Sequence, residues 1–197
     1  MFFIWGCHSS PNSKINYPII WEEGHKLKWS DFKGTAPANP PHTSRSHIKI
    51  SYNHETQPDT EVFVVQDFFY PEDGFCVKGQ ESDYLLNHEQ RHFDLTEIYA
   101  RMLRKYLIEF PGHCDLDSFY VAGCDTIYTR CGVAEGLYDT ESNHSLNHAI
   151  QTEWDNRIDS LLNVYSNYKN PIVKLPTPRK HSYELYDKNK NRDSKKK

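Results

Sequence analysis

The sequence predicts an α+β fold, a small antiparallel or mixed sheet packed on one long helix, with a second helix towards the C-terminal end. Two patterns carry that expectation. Ile48, Ile50 and Tyr52 alternate with polar residues, and residues 60–70 are rich in β-branched and aromatic side chains, so two strands precede the helix. Residues 82–110 contain no glycine or proline. There Leu85, His88, His92, Leu95, Tyr99, Met102 and Tyr106 recur at three-and-four spacing, which puts them on one helical face. Strands first and helices after give a sheet lying against that face.

In chain order, residues 17–21 are a short apolar strand candidate, and residues 27–34 read Leu-Lys-Trp-Ser-Asp-Phe-Lys-Gly. The proline-rich stretch 35–43 must be an irregular loop. The strand at 46–52 and the strand at 60–70 are separated by Pro58-Asp59, and a second turn follows at 71–74. Ser82 can cap the long helix, Asp83 suits its first turn, and Pro111-Gly112 stop it. Residues 111–138 are interrupted by Gly112, Gly123, Gly132 and Gly136 and read as loop with short strands. The second helix is expected over 145–168, where Leu146, Ile150, Trp154, Ile158, Leu161 and Tyr165 share a face. Beyond Pro171, Pro176 and Pro178 end regular structure, and 188–197 read as a disordered basic tail. The organisation expected is a leader or linker over 1–16, one domain over 17–170 and an extension over 171–197.

A chain of 197 residues is about one domain with a full hydrophobic core. Its net charge of −4 conceals a tail at 187–197 carrying six basic and two acidic residues, which leaves the remainder at −8. An acidic body argues against nucleic acid as the partner. No window reaches the length of a membrane-spanning helix. The opening Met-Phe-Phe-Ile-Trp-Gly-Cys7 is apolar up to a Gly-Cys pair and polar after it, like the end of a lipoprotein signal whose cysteine anchors the protein to a membrane; the alternative is an apolar N-terminal strand. The remaining Cys76, Cys114, Cys124 and Cys131 are an even set that could form two disulfides in an oxidising compartment, with Cys124–Cys131 and Cys76–Cys114 one of three pairings. Reduced, buried thiols are the other reading.

Residues 88–92 read His-Glu-Gln-Arg-His. Four residues apart on a helix, His88 and His92 project from one face and can grip a single zinc ion. Glu89 lies about 100° further round, where a general base would stand to take a proton from zinc-activated water. The competing interpretation is a pair of core histidines satisfied by their neighbours. Glu97, nine positions from His88, falls close to the opposite side of the helix and suits a salt bridge with Arg101. Asp94 is also off the ligand face and suits a neighbouring segment or a supporting contact. A third ligand should then come from elsewhere, and 138–144, Tyr-Asp-Thr-Glu-Ser-Asn-His, offers three candidates. His144 is the first choice, because an imidazole at a loop-to-helix junction can be aimed at a fixed metal. Glu141 and Asp139 are runners-up, each equally explicable as a helix-start residue. Tyr138 could stabilise a developing oxyanion, or simply pack in the core.

The stretch at 27–34, the His88–Asp94 segment and the 138–144 segment followed by Gln151 and Trp154 together resemble the bacterial domain of unknown function 922, described as predicted secreted zinc-dependent proteases. The resemblance covers about residues 17–168, with Ser142 and Ser145 where that pattern often has Thr and Gly. It implies a zincin-like fold, a secreted or cell-envelope location, and a zinc metallopeptidase acting on peptide or protein substrates through His88, His92 and Glu89. Two alternatives stand beside it: an envelope lipoprotein that uses the metal for its fold or a binding surface, and a zinc amidase acting on cell-wall peptides.

Overall fold

The computed structural model describes residues 17–110 and 118–177. The elements are β1 (Ile19–Ile20), β2 (Ser44–Arg45), β3 (Ile48–Gln57), β4 (Thr60–Phe69), β5 (Phe75–Cys76), α1 (Asp83–Glu109), α2 (Ser118–Ser142), α3 (His148–Val164) and β6 (Ile172–Pro176). The fold is α+β, with three helices and a small antiparallel sheet. Cys7 and the rest of 1–16, Cys114, and the tail beyond 177 lie outside the described residues. Among those described, no helix is long and apolar enough to cross a membrane.

β4 is the centre of the sheet. It pairs with β3 along its whole length, from Ile48 opposite Phe69 to Gln57 opposite Thr60, which leaves Pro58-Asp59 as a two-residue turn. Its other edge is shared, with β1 opposite Phe68 and Phe69 and β6 opposite Thr60 to Val64. The pleat sends Glu61, Phe63, Val65, Asp67 and Phe69 to the buried face. There Phe63 and Val65 meet Ala100, Leu103 and Leu107 of α1 and Val173 and Leu175 of β6. A full burial of each large apolar side chain is worth roughly 1.5–3 kcal/mol, so this layer holds the sheet to α1.

α1 begins where expected, with Ser82 Oγ accepting from Leu85 N at 3.2 Å. It is covered on nearly every side, by the sheet, α2 and α3, so its polar residues need partners. Gln90 accepts from the Leu27 amide at 2.8 Å and Asp94 from the Trp21 indole at 2.9 Å, pinning the N-terminal segment to the helix. Asp94 thus serves a neighbouring segment. Glu97 takes Arg101 at 2.9 Å and also Arg104 at 2.8 Å, and Arg104 donates onward to the Val65 carbonyl at 2.8 Å.

Three expectations are corrected. Residues 111–138 are expected as loop with short strands because of their glycines, yet from 118 onwards they belong to a 25-residue helix that runs to Ser142. The glycines serve packing and space: a Cβ on Gly123 would collide with the Tyr106 ring and hydroxyl, whereas Gly132 and Gly136 have nothing within 4 Å of that position. Beyond Pro171 the chain adds β6, because Val173 and Leu175 bury an alternating face and Pro176 sits at a strand end, where a missing N–H is tolerated. Cys124 and Cys131 share α2 seven residues apart, roughly 10 Å of helical rise, too far to bridge one another, and Cys76 and Cys131 are free thiols. The last helix also starts three residues later than expected, at His148, with Asn147 as its cap.

Asp67 is the outlier of the core. It is 1% exposed and neither carboxylate oxygen has a well-formed hydrogen bond among the described residues. Burial above all, then the charges of Glu97 and Glu135, raise its pKa well above the carboxylate range, while the Phe68 amide and Arg104 oppose the shift. A folded-state pKa above the unfolded one means that stability is full below the unfolded pKa and falls as pH rises towards the folded value. Asp67→Asn is therefore expected to stabilise the protein increasingly as pH rises from about 4, the ordinary carboxylate value, towards the raised folded value, read as the difference in denaturation midpoint from wild type. A constant or shrinking difference across that range would refute a neutral Asp67.

Candidate metal centre

His88 and His92 are both buried, on the side of α1 that meets α2 and α3. Each is held by a partner on one of those helices. Gln151 of α3 donates from Nε2 to the Asp155 carboxylate at 3.0 Å, which fixes its amide so that Oε1 faces His88 Nδ1, also at 3.0 Å. His88 therefore carries its proton on Nδ1. His92 Nδ1 contacts Glu135 of α2, whose second oxygen accepts from Thr96 at 3.2 Å. With an acceptor on Nδ1 of each ring, both Nε2 atoms turn their lone pairs to the same point.

Asp139 of α2 meets them there. Its Oδ1 lies 3.2 Å from His88 Nε2 and 3.0 Å from His92 Nε2, and the two Nε2 atoms are 3.3 Å apart. Three lone-pair donors facing one another at this range repel unless positive charge sits between them. The electrostatics agree. Although burial opposes it, the Glu135 and Asp139 carboxylates raise the His92 pKa well above the ordinary imidazole value. Burial opposes the shift at Asp139 too, and the two imidazoles overcome it, holding that carboxyl far below the usual carboxylate range. The spot favours a cation. Ligand bonds of about 2.0–2.1 Å in tetrahedral geometry separate donors by about 3.3 Å, so the triangle has the size and the nitrogen-and-oxygen donor set of a divalent metal site. His88, His92 and Asp139 are the one group among the described residues whose donors could hold such an ion.

The site opens onto a cleft of about 1360 Å³. Its floor is α2: Tyr128, Cys131, Gly132, Glu135, Gly136 and Asp139 line it at three-and-four spacing, and the two glycines keep it open. Ser44, Ser46 and the first residues of β3 form the facing wall. Glu89 also lines the cleft, its two carboxylate oxygens accepting from Ser44 Oγ and Ser46 Oγ, each at 2.5 Å. Ser44 is presented by the pairing of β2 with β5, opposite Cys76.

The remaining candidates from the sequence land elsewhere. His144, the first choice for third ligand, lines the cleft with Nδ1 3.3 Å from Asp139 Oδ1 and its ring on His42, but is not one of the three grouped donors. The reason is the unexpected helix: α2 runs to Ser142, so Asp139 is aimed inward from its last turn while His144 falls in the turn beyond. Glu141 points away and accepts from the Trp154 indole at 2.8 Å. Tyr138 is fully buried, stacked on His88 with ring centroids 4.7 Å apart, and its hydroxyl takes the Gln151 amide. Tyr138 does not line the cleft, so its phenol is a packing and hydrogen-bonding group behind the imidazoles and not an oxyanion donor. His148 stacks on Tyr84 with centroids 3.9 Å apart, both at the cleft.

Glu135 and Gln151 were missed as partners of the histidines. Glu135 and Asp139 at i and i+4 among Tyr128, Cys131, Gly132 and Gly136 form a helical stripe, a signal available in the sequence once the glycines are not taken as breaks. The α2–α3 turn is also unusual: Asn143, His144 and Ser145 all have positive φ, at 49°, 49° and 70°. Left-handed geometry costs a non-glycine residue about 1–2 kcal/mol, and such strain gathers at functional sites. No family model, curated protein or solved structure was found to match the chain.

Proposed function

We propose that this protein is a zinc-dependent metallopeptidase with a zincin-like fold, the metal held by His88, His92 and Asp139 and Glu89 acting as general base. One observation carries the reading: three donors at mutual distances of 3.0–3.3 Å face a cleft that a buried carboxylate shares. Zinc bound there would supply Lewis-acid polarisation of a carbonyl and make water more acidic. The chain's own residues do the rest. Gln151 and Glu135 fix the two imidazole tautomers, and Ser44 and Ser46 hold the Glu89 carboxylate at the cleft wall. Glu89 takes a proton from the attacking water and returns it to the leaving amine.

Three protein donors beside a cleft favour a catalytic over a purely structural site, since structural zinc is closed by four. The volume suits a chain of several residues better than a small metabolite, for which pockets run to about 300–1,000 Å³. The resemblance to the domain of unknown function 922 points to the same substrates and to the cell envelope. The test is zinc content together with cleavage of a peptide library by wild type and Asp139→Ala, with and without chelator. Wild type should carry one zinc per chain and cleave, with cleavage lost to chelator, and Asp139→Ala should lose both zinc and cleavage. A wild type that holds zinc and cleaves neither library peptides nor cell-wall peptides would sink the hydrolase; cleavage of cell-wall peptides alone would move the reading to an amidase.

A further inference from the structure

We propose that His144 is the positioning residue of Asp139, orienting the third metal donor as Gln151 and Glu135 orient the first two. This rests on the metal-centre reading and extends it to a residue outside the donor group. Each imidazole donor has a partner that fixes it, on a separate helix. Asp139 sits at the end of α2, partly exposed, and needs a partner of the same kind. His144 supplies it twice over. Its backbone N–H donates to the Asp139 carbonyl at 2.8 Å, and its side-chain Nδ1 lies 3.3 Å from Oδ1, the oxygen that faces the two histidines.

The backbone makes this arrangement at a cost. A chain leaving a helix needs one left-handed residue to reverse, and that is commonly glycine or asparagine. Here three successive non-glycine residues adopt it, and the middle one is His144. The turn is over-determined by contacts that hold it there. Ser142 is fully buried and its hydroxyl bridges the Asp139 carbonyl and the Ser145 amide, while the Asn147 amide donates to the Ser142 carbonyl at 2.8 Å. His42, also at the cleft, packs against the His144 ring, centroids 4.1 Å apart and planes tilted by 38°, limiting its rotation. A cation–carboxylate site loses affinity when its carboxylate swings, which is how a partner outside the donor set comes to act on the metal.

The experiment is zinc affinity by competition with a chromophoric chelator, for wild type, His144→Ala, His144→Gly and His144→Asn, with unfolding midpoints measured on the same samples. Asparagine keeps a polar nitrogen near the Nδ1 position and tolerates the left-handed backbone; glycine relaxes the backbone and removes the side-chain contact. His144→Ala and His144→Gly should each bind zinc about 10–100-fold more weakly than wild type, and His144→Asn within about threefold. The proposal is overturned if the glycine variant binds as tightly as wild type, or if the asparagine variant falls as far as alanine. Affinity reads out whether or not the protein cleaves anything. Wild type that binds zinc without peptidase activity therefore refutes the proposed function and leaves this inference standing, whereas equal affinities across the series refute this inference alone.

Discussion

Glu89→Gln should retain one zinc per chain and lose peptide cleavage by a factor of about 10²–10⁴, the usual worth of a positioned general base. The side chain is near-isosteric and buried, and none of its atoms belongs to the His88, His92 and Asp139 group, so the metal has no reason to leave. What changes is the acceptor count. The carboxylate takes the hydroxyls of both Ser44 and Ser46, whereas an amide accepts through one oxygen and presents N–H donors to the other serine, which must rotate to accept. The fold should tolerate that reversal with a small shift in unfolding midpoint. Zinc analysis beside kcat/KM on a cleaved peptide makes the comparison. Retention of more than about a tenth of wild-type kcat/KM would remove Glu89 from the base role, and loss of zinc would mean that the donor set is wrong.

Arg104→Met should destabilise the fold by about 3–5 kcal/mol, more than any other single polar substitution considered for this chain. Arg104 and Glu97 are each 2% exposed, and Glu97 divides its carboxylate between Arg104 and Arg101. Methionine matches much of the volume and none of the charge. Its insertion leaves the Val65 carbonyl, which takes two guanidinium N–H groups, and one side of Glu97 without donors in a low-dielectric interior. It also cuts the link from α1 to the Tyr168 carbonyl, behind α3. Urea denaturation would measure the loss; a change under about 1 kcal/mol would show that the buried guanidinium is dispensable to the fold. Because α1 also carries both imidazoles, zinc should protect the variant against denaturant increasingly as its concentration rises.

Local periodicity was enough to read several features from the chain alone. Alternation around Ile50 and the β-branched run over 60–70 are patterns of one strand each, and they became the hairpin of β3 and β4. The unbroken 82–110 stretch, its Ser82 cap and the four-residue spacing of His88 and His92 needed only one helix to be meaningful. Glu97 facing away from His88 and towards Arg101 is a consequence of the same helical angle. Whatever required two elements to meet stayed hidden until the chain folded. Gly123, Gly132 and Gly136 look like breaks when only intrinsic propensity is counted, yet α2 forms because Gly123 lets it approach Tyr106 of α1 and because Cys124, Ile127 and Tyr128 pack into the core beside it. Val173 and Leu175 are too few to announce a strand, and become one because β4 offers an unpaired edge. The third donor is the sharpest case: in one dimension His144 is the first choice and Glu141 and Asp139 are runners-up. Only the packing of α2 against α1 turns Asp139 to the imidazoles; Glu141, two residues on and therefore on another face of the helix, meets Trp154, and His144, past the end of α2, lines the cleft.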